Sequence, residues 1–93
     1  MRNYEVMLVL FANLGEEETQ NVIDGVTSSI NENGEVTDID KRGIRRLAYE
    51  IQDEREGYYV VIKFQADPDY PETLERQLRI NDNLLRYLVV RED

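Results

Sequence analysis

Apolar residues fill nearly every position of YEVMLVLF, Tyr4 to Phe11, as expected of a strand covered on both faces and therefore central in its sheet. The period then changes. Val22, Ile23, Val26 and Ile30 recur at helical spacing, and Glu16, Glu17 and Glu18 fall in the first turn, where negative charge suits the helix dipole. Asn13, three residues before Glu16, is the expected N-cap, and Asn33-Gly34 the expected left-handed stop. Glu35 to Ile51 returns to a strand pattern, charged enough for a sheet edge, with Gly43 marking a bulge or bend.

QDEREG, Gln52 to Gly57, reads as a polar turn and YYVVIKF, Tyr58 to Phe64, as a second buried strand, so a hairpin joins a charged strand to an apolar one. DPDYPETLERQLRINDN holds a second helix, with Pro71 in its first turn and Leu74 and Leu78 four apart, and LLRYLVVRED, Leu84 to Asp93, is the last strand. The order is β-α-β-β-α-β, which predicts an α+β ferredoxin-like fold: a four-stranded antiparallel sheet with two helices on one face. Right-handed crossovers place the first and third strands centrally and the second and fourth at the edges. With 93 residues and no internal linker, the expectation is one domain, 1–93.

Strand alternation separates Tyr4, Val6, Leu8, Leu10, Tyr58, Val60, Ile62 and Phe64 from Glu5, Met7, Val9, Phe11, Tyr59, Val61 and Lys63. The second set is too apolar for a face left wholly in water. Two readings stay open for it: ordinary apolar surface, or a partner docked on that face or along its edge.

Composition narrows the chemistry. The chain has no cysteine and no histidine, which removes disulfides, thiolate or imidazole metal ligands and thiol nucleophiles. No apolar stretch approaches the roughly 20 residues that span a bilayer, and Val6 to Leu14 is better read as a buried strand than as the apolar core of a signal peptide, so the expected compartment is the cytosol. Glu16 to Glu18 and Asp53, Glu54 and Glu56 lie in a helix start and a turn, without calcium-ligand spacing, and Gly34, Gly43 and Gly57 form no phosphate-cradling loop. No catalytic residue, metal or cofactor is expected, and the chain is not expected to be an enzyme.

Charge points elsewhere. Against a net charge of -9, KRGIRR carries Lys41, Arg42, Arg45 and Arg46 within six positions. Long-range attraction to nucleic acid is impossible at that net charge, so any such binding must be local. Arginine engages phosphate through two hydrogen bonds and tyrosine offers a ring for a base or ribose, and Arg45, Arg46 and Tyr49 are near enough in sequence for one patch. On an extended strand Arg45 and Tyr49 share a face and Arg46 takes the other, unless the Gly43 bend intervenes. The bland reading, a solvated edge that blocks edge-to-edge pairing, stands beside it. EGYYVVIK lacks the aromatic signature of an RNA-recognition motif: Glu56 stands where a base is wanted, and Lys63 where an aromatic should stack.

MRNYEVMLVL, RGIRRLAYEI, EGYYVVIKF and LERQLRINDNLLRYLVV, in that order and spacing, resemble the bacterial small-subunit ribosomal protein S6 family from Met1 to about Arg91. The resemblance implies the ferredoxin-like fold reached above. It further implies a structural constituent of the small ribosomal subunit that binds the central domain of 16S ribosomal RNA together with ribosomal protein S18. By the same resemblance Arg2 and Tyr4 match the MR-YE start, Arg45, Arg46 and Tyr49 the RRLAY strand, and Arg79 and Arg86 the LR-I-DN-LR arginines. With Lys41 and Arg42 these are the candidates for RNA or partner contact, while Leu47 and Ala48 are expected to pack. Glu50 stands where family members often have proline, and the chain ends without the longer tail that some carry. Rival readings are a dimeric ferredoxin-like regulatory module binding a small metabolite and, more remotely, a phosphatase, for which FANLGEEE supplies glutamates where a phosphate cradle is needed.

Overall fold

The two apolar runs occupy the two central places of one sheet. In the computed structural model, which describes residues 1–92, β1 (Arg2–Phe11) and β3 (Glu54–Ala66) pair antiparallel in unbroken register from Arg2 opposite Ala66 to Phe11 opposite Gly57. β2 (Gly34–Ile51) lies outside β3 and β4 (Leu84–Arg91) outside β1, giving the order β2-β3-β1-β4. The predicted architecture and the edge positions are both observed. β3 begins four residues before the expected Tyr58, because the hairpin turn contracts to Gln52 and Asp53, both with positive φ, and the charged residues on either side pair as strand. Asp93, included in the expected last strand, lies outside the described residues.

Helices α1 (Glu16–Asn33) and α2 (Tyr70–Arg79) cover one face of the sheet. Val22, Ile23, Val26 and Ile30 of α1 and Tyr70, Leu74 and Leu78 of α2 pack on Tyr4, Val6, Leu8, Leu10, Val60, Ile62 and Phe64 in a single cluster. Full burial of each such aliphatic side chain contributes about 1.5–3 kcal/mol, so the register of β1 on β3 is pinned: a one-residue slip would turn this row away from the helices. Tyr4 stacks on Phe64 with ring centres 5.5 Å apart, and Phe64 meets Tyr70 edge-on at 6.2 Å.

Both expected ends of α1 differ from the sequence reading. The chain enters through a 3₁₀ turn, Ala12–Leu14, which uses up the residues around Asn13, and Gly15, with φ +86°, takes the cap position without any side-chain cap. At the other end Gly34 is extended, with φ −176°, and α1 runs directly into β2. Its glycine is required by proximity. A Cβ there would lie 2.0 Å from the Gln65 carbonyl oxygen and 3.0 Å from Ala66 Cα, both backbone atoms of the neighbouring strand. Asn33 Nδ2 donates to the Ser29 carbonyl, and Asn31 Oδ1 accepts from Val36 N, each at 2.9 Å, so side chains bridge the junction.

One polar relay joins the two helices. Ser29 Oγ donates to Gln77 Oε1 at 2.7 Å and lies 2.8 Å from the Tyr70 hydroxyl; with the only Ser29 hydroxyl proton committed to Gln77, Tyr70 donates. Burial pushes the Tyr70 hydroxyl above its ordinary 10.0, the Ser29 hydroxyl partly opposes this, and the charge of Glu32 adds to it.

Gly34→Ala is expected to lose about 2 kcal/mol or more in urea denaturation, since backbone must move to admit one methyl group. A second expectation concerns alkali. The folded state binds the Tyr70 proton more tightly than the unfolded state, so this contribution is complete below pH 10 and disappears as pH rises through the higher folded value. Tyr70→Phe should therefore unfold with a shallower loss of stability above about pH 10 than the parent, read as melting temperature against pH.

Candidate nucleic-acid interface

A single extra residue decides which way the basic strand faces. Lys41 is opposite Val60 and Gly43 opposite Tyr59, so Arg42 is surplus in β2 and the ladder shifts there, with Gly43 at φ +80°. Lys41 and Ile44, an odd number of residues apart, consequently lie on the same helix-covered side, opposite Val60 and Tyr58. Arg45, opposite Gly57, is thereby rephased onto the open face.

Beyond Arg46 the regular ladder is lost until Ile51 meets Glu54, and this end of the hairpin curls over the open face. Leu47 is buried there against Val9 of β1 and Leu85 of β4, with Phe11, Ile51 and Tyr59 around them. Gly57 leaves the space: a Cβ on it would sit 2.5 Å from Val9 Cγ1 and 3.5 Å from Leu47 Cδ2. The curl carries Tyr49, from one edge strand, across two intervening strands to Arg86 on the other, whose Nη1 donates to the Tyr49 hydroxyl at 3.1 Å. Tyr49 remains 63% exposed, so its ring stays available although its hydroxyl is engaged.

The structure thus divides the predicted set. Tyr49 and Arg86 meet over the open face; Arg45, opposite Gly57 on the edge strand β2, shares that face, and Arg46, opposite Glu56, lies on the other side of the strand as alternation predicts. Lys41 donates to Gln20 of α1 on the helix side, and Arg42 is paired with Asp40 at 3.1 Å. Arg2 opposes Ala66 at the far end of β1, roughly 30 Å along the strand from the Phe11 end at about 3.4 Å per residue. Arg79 is exposed in the last turn of α2, where positive charge suits the dipole.

Tyr4 corrects the expectation made for it: it is 6% exposed and stacked inside the main core, so its ring cannot lie against a base. Of the two expected packing residues, Leu47 is buried and Ala48 is exposed: both lie beyond the last regular pair at Arg46, and the curl turns only Leu47 onto Val9 and Leu85. What the sequence reading missed is the curl itself and with it the meeting of Tyr49 and Arg86. Gly57, a lone glycine at the start of a bulky apolar run, was its signal.

Chemically this end of the sheet presents guanidinium forks and one tyrosine ring on an apolar floor. Arg45 donates Nε to the Arg42 carbonyl at 3.2 Å, which holds its stem to the strand. Among the described residues no group of acidic side chains could hold a metal ion, and no helix is long and apolar enough to cross a membrane. Leu88 and Val90 of β4, opposite Met7 and Glu5, continue the open face as an exposed apolar strip at 50% and 38% exposure.

Fold and surface together define a ferredoxin-like α+β protein that offers side chains for binding. The sequence model of the family described as Ribosomal protein S6 matches residues 3–91. The small ribosomal subunit protein bS6 of Carboxydothermus hydrogenoformans is 48% identical over 94 residues, spanning 100% of this chain and 98% of the relative, and that of Caldanaerobacter subterraneus subsp. tengcongensis is also 48% identical, spanning 100% and 99%. The crystal structure of 30S ribosomal protein S6 from Thermotoga maritima superposes with a TM-score of 0.93 at 33% identity, covering 98% of this chain and 87% of that one. The chain belongs to the ribosomal protein S6 family and is a structural protein of the small ribosomal subunit, not an enzyme. Membership does not favour the metabolite-binding module.

Gly57→Ala should lower stability by about 1–3 kcal/mol, because Val9 and Leu47 must both yield to the added methyl group. Amide exchange at residues 47–51 should accelerate more than in the β1–β3 ladder, which shows the curl opening ahead of the core.

Proposed function

We propose that this chain binds the central domain of 16S ribosomal RNA jointly with ribosomal protein S18, using the open face around Arg45, Tyr49 and Arg86. The observation that carries the reading is the convergence of Tyr49 and Arg86 from opposite edges of the sheet, on the face that Arg45 shares. A protein of net charge -9 needs a local contact of this kind to approach phosphate. The exposed Leu88 and Val90 strip, next to Arg86 on β4, offers a protein partner apolar area on the same face. A basic companion would offset the remaining negative field. The role of each side chain is binding: the arginines position phosphates, and the tyrosine ring supports a ribose or base.

Gel-shift titration of a central-domain RNA fragment, with and without S18, at two salt concentrations, tests this. Tight and salt-sensitive binding only with both proteins present is the expected result; no shift in either condition with folded protein overturns it. If about four arginine–phosphate contacts form, the affinity should fall with salt at a logarithmic slope of roughly -3 to -4. Arg45→Ala and Arg86→Ala should each weaken binding evenly across RNA sequences and reduce that slope by about one.

A further inference from the structure

The two sides of the β2–β3 hairpin tip differ in charge. One hollow, of about 370 Å³, is lined by Arg46, Leu47, Ala48, Tyr49, Glu50 and Arg55, so its charged walls are two arginines and one glutamate. Asp53, Glu54 and Glu56 line a separate hollow with Ile44, and of the charged tip residues only Arg55 borders both. The first hollow is therefore the one side of the tip with a positive balance. The Arg46 side chain has no hydrogen-bonding or ionic partner among the described residues. Arg55 is held differently: its Nε donates to Glu50 Oε1 at 2.9 Å, with both side chains more than half exposed.

We propose that Arg46 and Arg55 form a binding subsite for one RNA backbone phosphate, and that Glu50 acts as a restraint on it by occupying Arg55 in the free protein. The proposal rests on the RNA-binding reading above and adds to it a residue pair, Glu50 and Arg55, that the candidate set did not contain. Chemistry favours an RNA phosphate over other ligands: two arginines and a tyrosine line a hollow large enough for a sugar-phosphate unit, and guanidinium forks and aromatic rings suit phosphate and ribose. Glu50 opposes the same ligand. A carboxylate within about 6 Å of a phosphate in a water-like medium weakens binding by about threefold, and the effect fades with salt. An exposed ion pair is weak enough for a phosphate to exchange with the carboxylate, so the restraint sets affinity without closing the site.

The test titrates the same RNA fragment with the S18-bound full chain, comparing the parent, Glu50→Gln, Arg55→Ala and the double variant at low and high salt. Glu50→Gln should bind about threefold more tightly at low salt, with the gain vanishing at high salt, and Arg55→Ala should weaken binding more in the Glu50→Gln background than in the parent. Equal or weaker binding by Glu50→Gln, or an Arg55→Ala effect of the same size in both backgrounds, overturns the restraint while leaving the wider RNA reading intact. Absence of salt-sensitive binding by the parent overturns both. Melting curves confirm that all four proteins are folded, as expected for changes at exposed positions.

Discussion

Two helices are available to cover a sheet that is apolar on both faces, and most of the molecule follows from that shortage. α1 and α2 seal one face, and the aligned row from Tyr4 to Phe64 fixes strand order and register beneath them. The other face must find cover by a different route. Part of it comes from the chain's own hairpin, whose Leu47 lies on Val9 and Leu85. On β4 the face stays open at Leu88 and Val90.

Covering Val9 with Leu47 has an electrostatic result as well as a hydrophobic one. The same curl that buries an aliphatic side chain carries a tyrosine to an arginine on the far edge strand, so apolar packing also sets where a cation and an aromatic ring meet. Charge is partitioned along with it. Lys41 is spent on the helix side and Arg42 is balanced by Asp40, leaving Arg45, Arg46 and Arg86 as basic groups that no carboxylate pairs among the described residues. In KRGIRR it is therefore the second half that leaves its arginines without an acidic partner among the described residues. A run of basic letters in sequence is two surfaces in space.

Fold and strand order were legible because burial writes them in period: Val22, Ile23, Val26 and Ile30 repeat at helical spacing, and the two apolar runs can sit only in the middle of a sheet. Helix ends were less legible. Asn13 and Gly34 carry the residue types of caps, but the chain uses one as part of a 3₁₀ turn and the other for close approach to Gln65 and Ala66, demands that arise only once tertiary neighbours are in place. The candidate site was half legible. Arg45, Tyr49 and Arg86 were named from residue type and family pattern, while Tyr4 was misplaced because an aromatic in a core strand and an aromatic on a binding face look alike in one sequence.

The bulge at Lys41–Gly43 has a consequence for how this strand can change over time. The identity of Arg42 matters little to the direction of its neighbours, whereas its presence sets the phase of everything after it. Loss of that one position would exchange the faces of Arg45 and Arg46, turn Leu47 away from Val9 and bring the helix-side residues into the open. Substitutions here are adjustments, and insertions or deletions are inversions. The inherited quantity in this segment is the count of residues between Lys41 and Leu47.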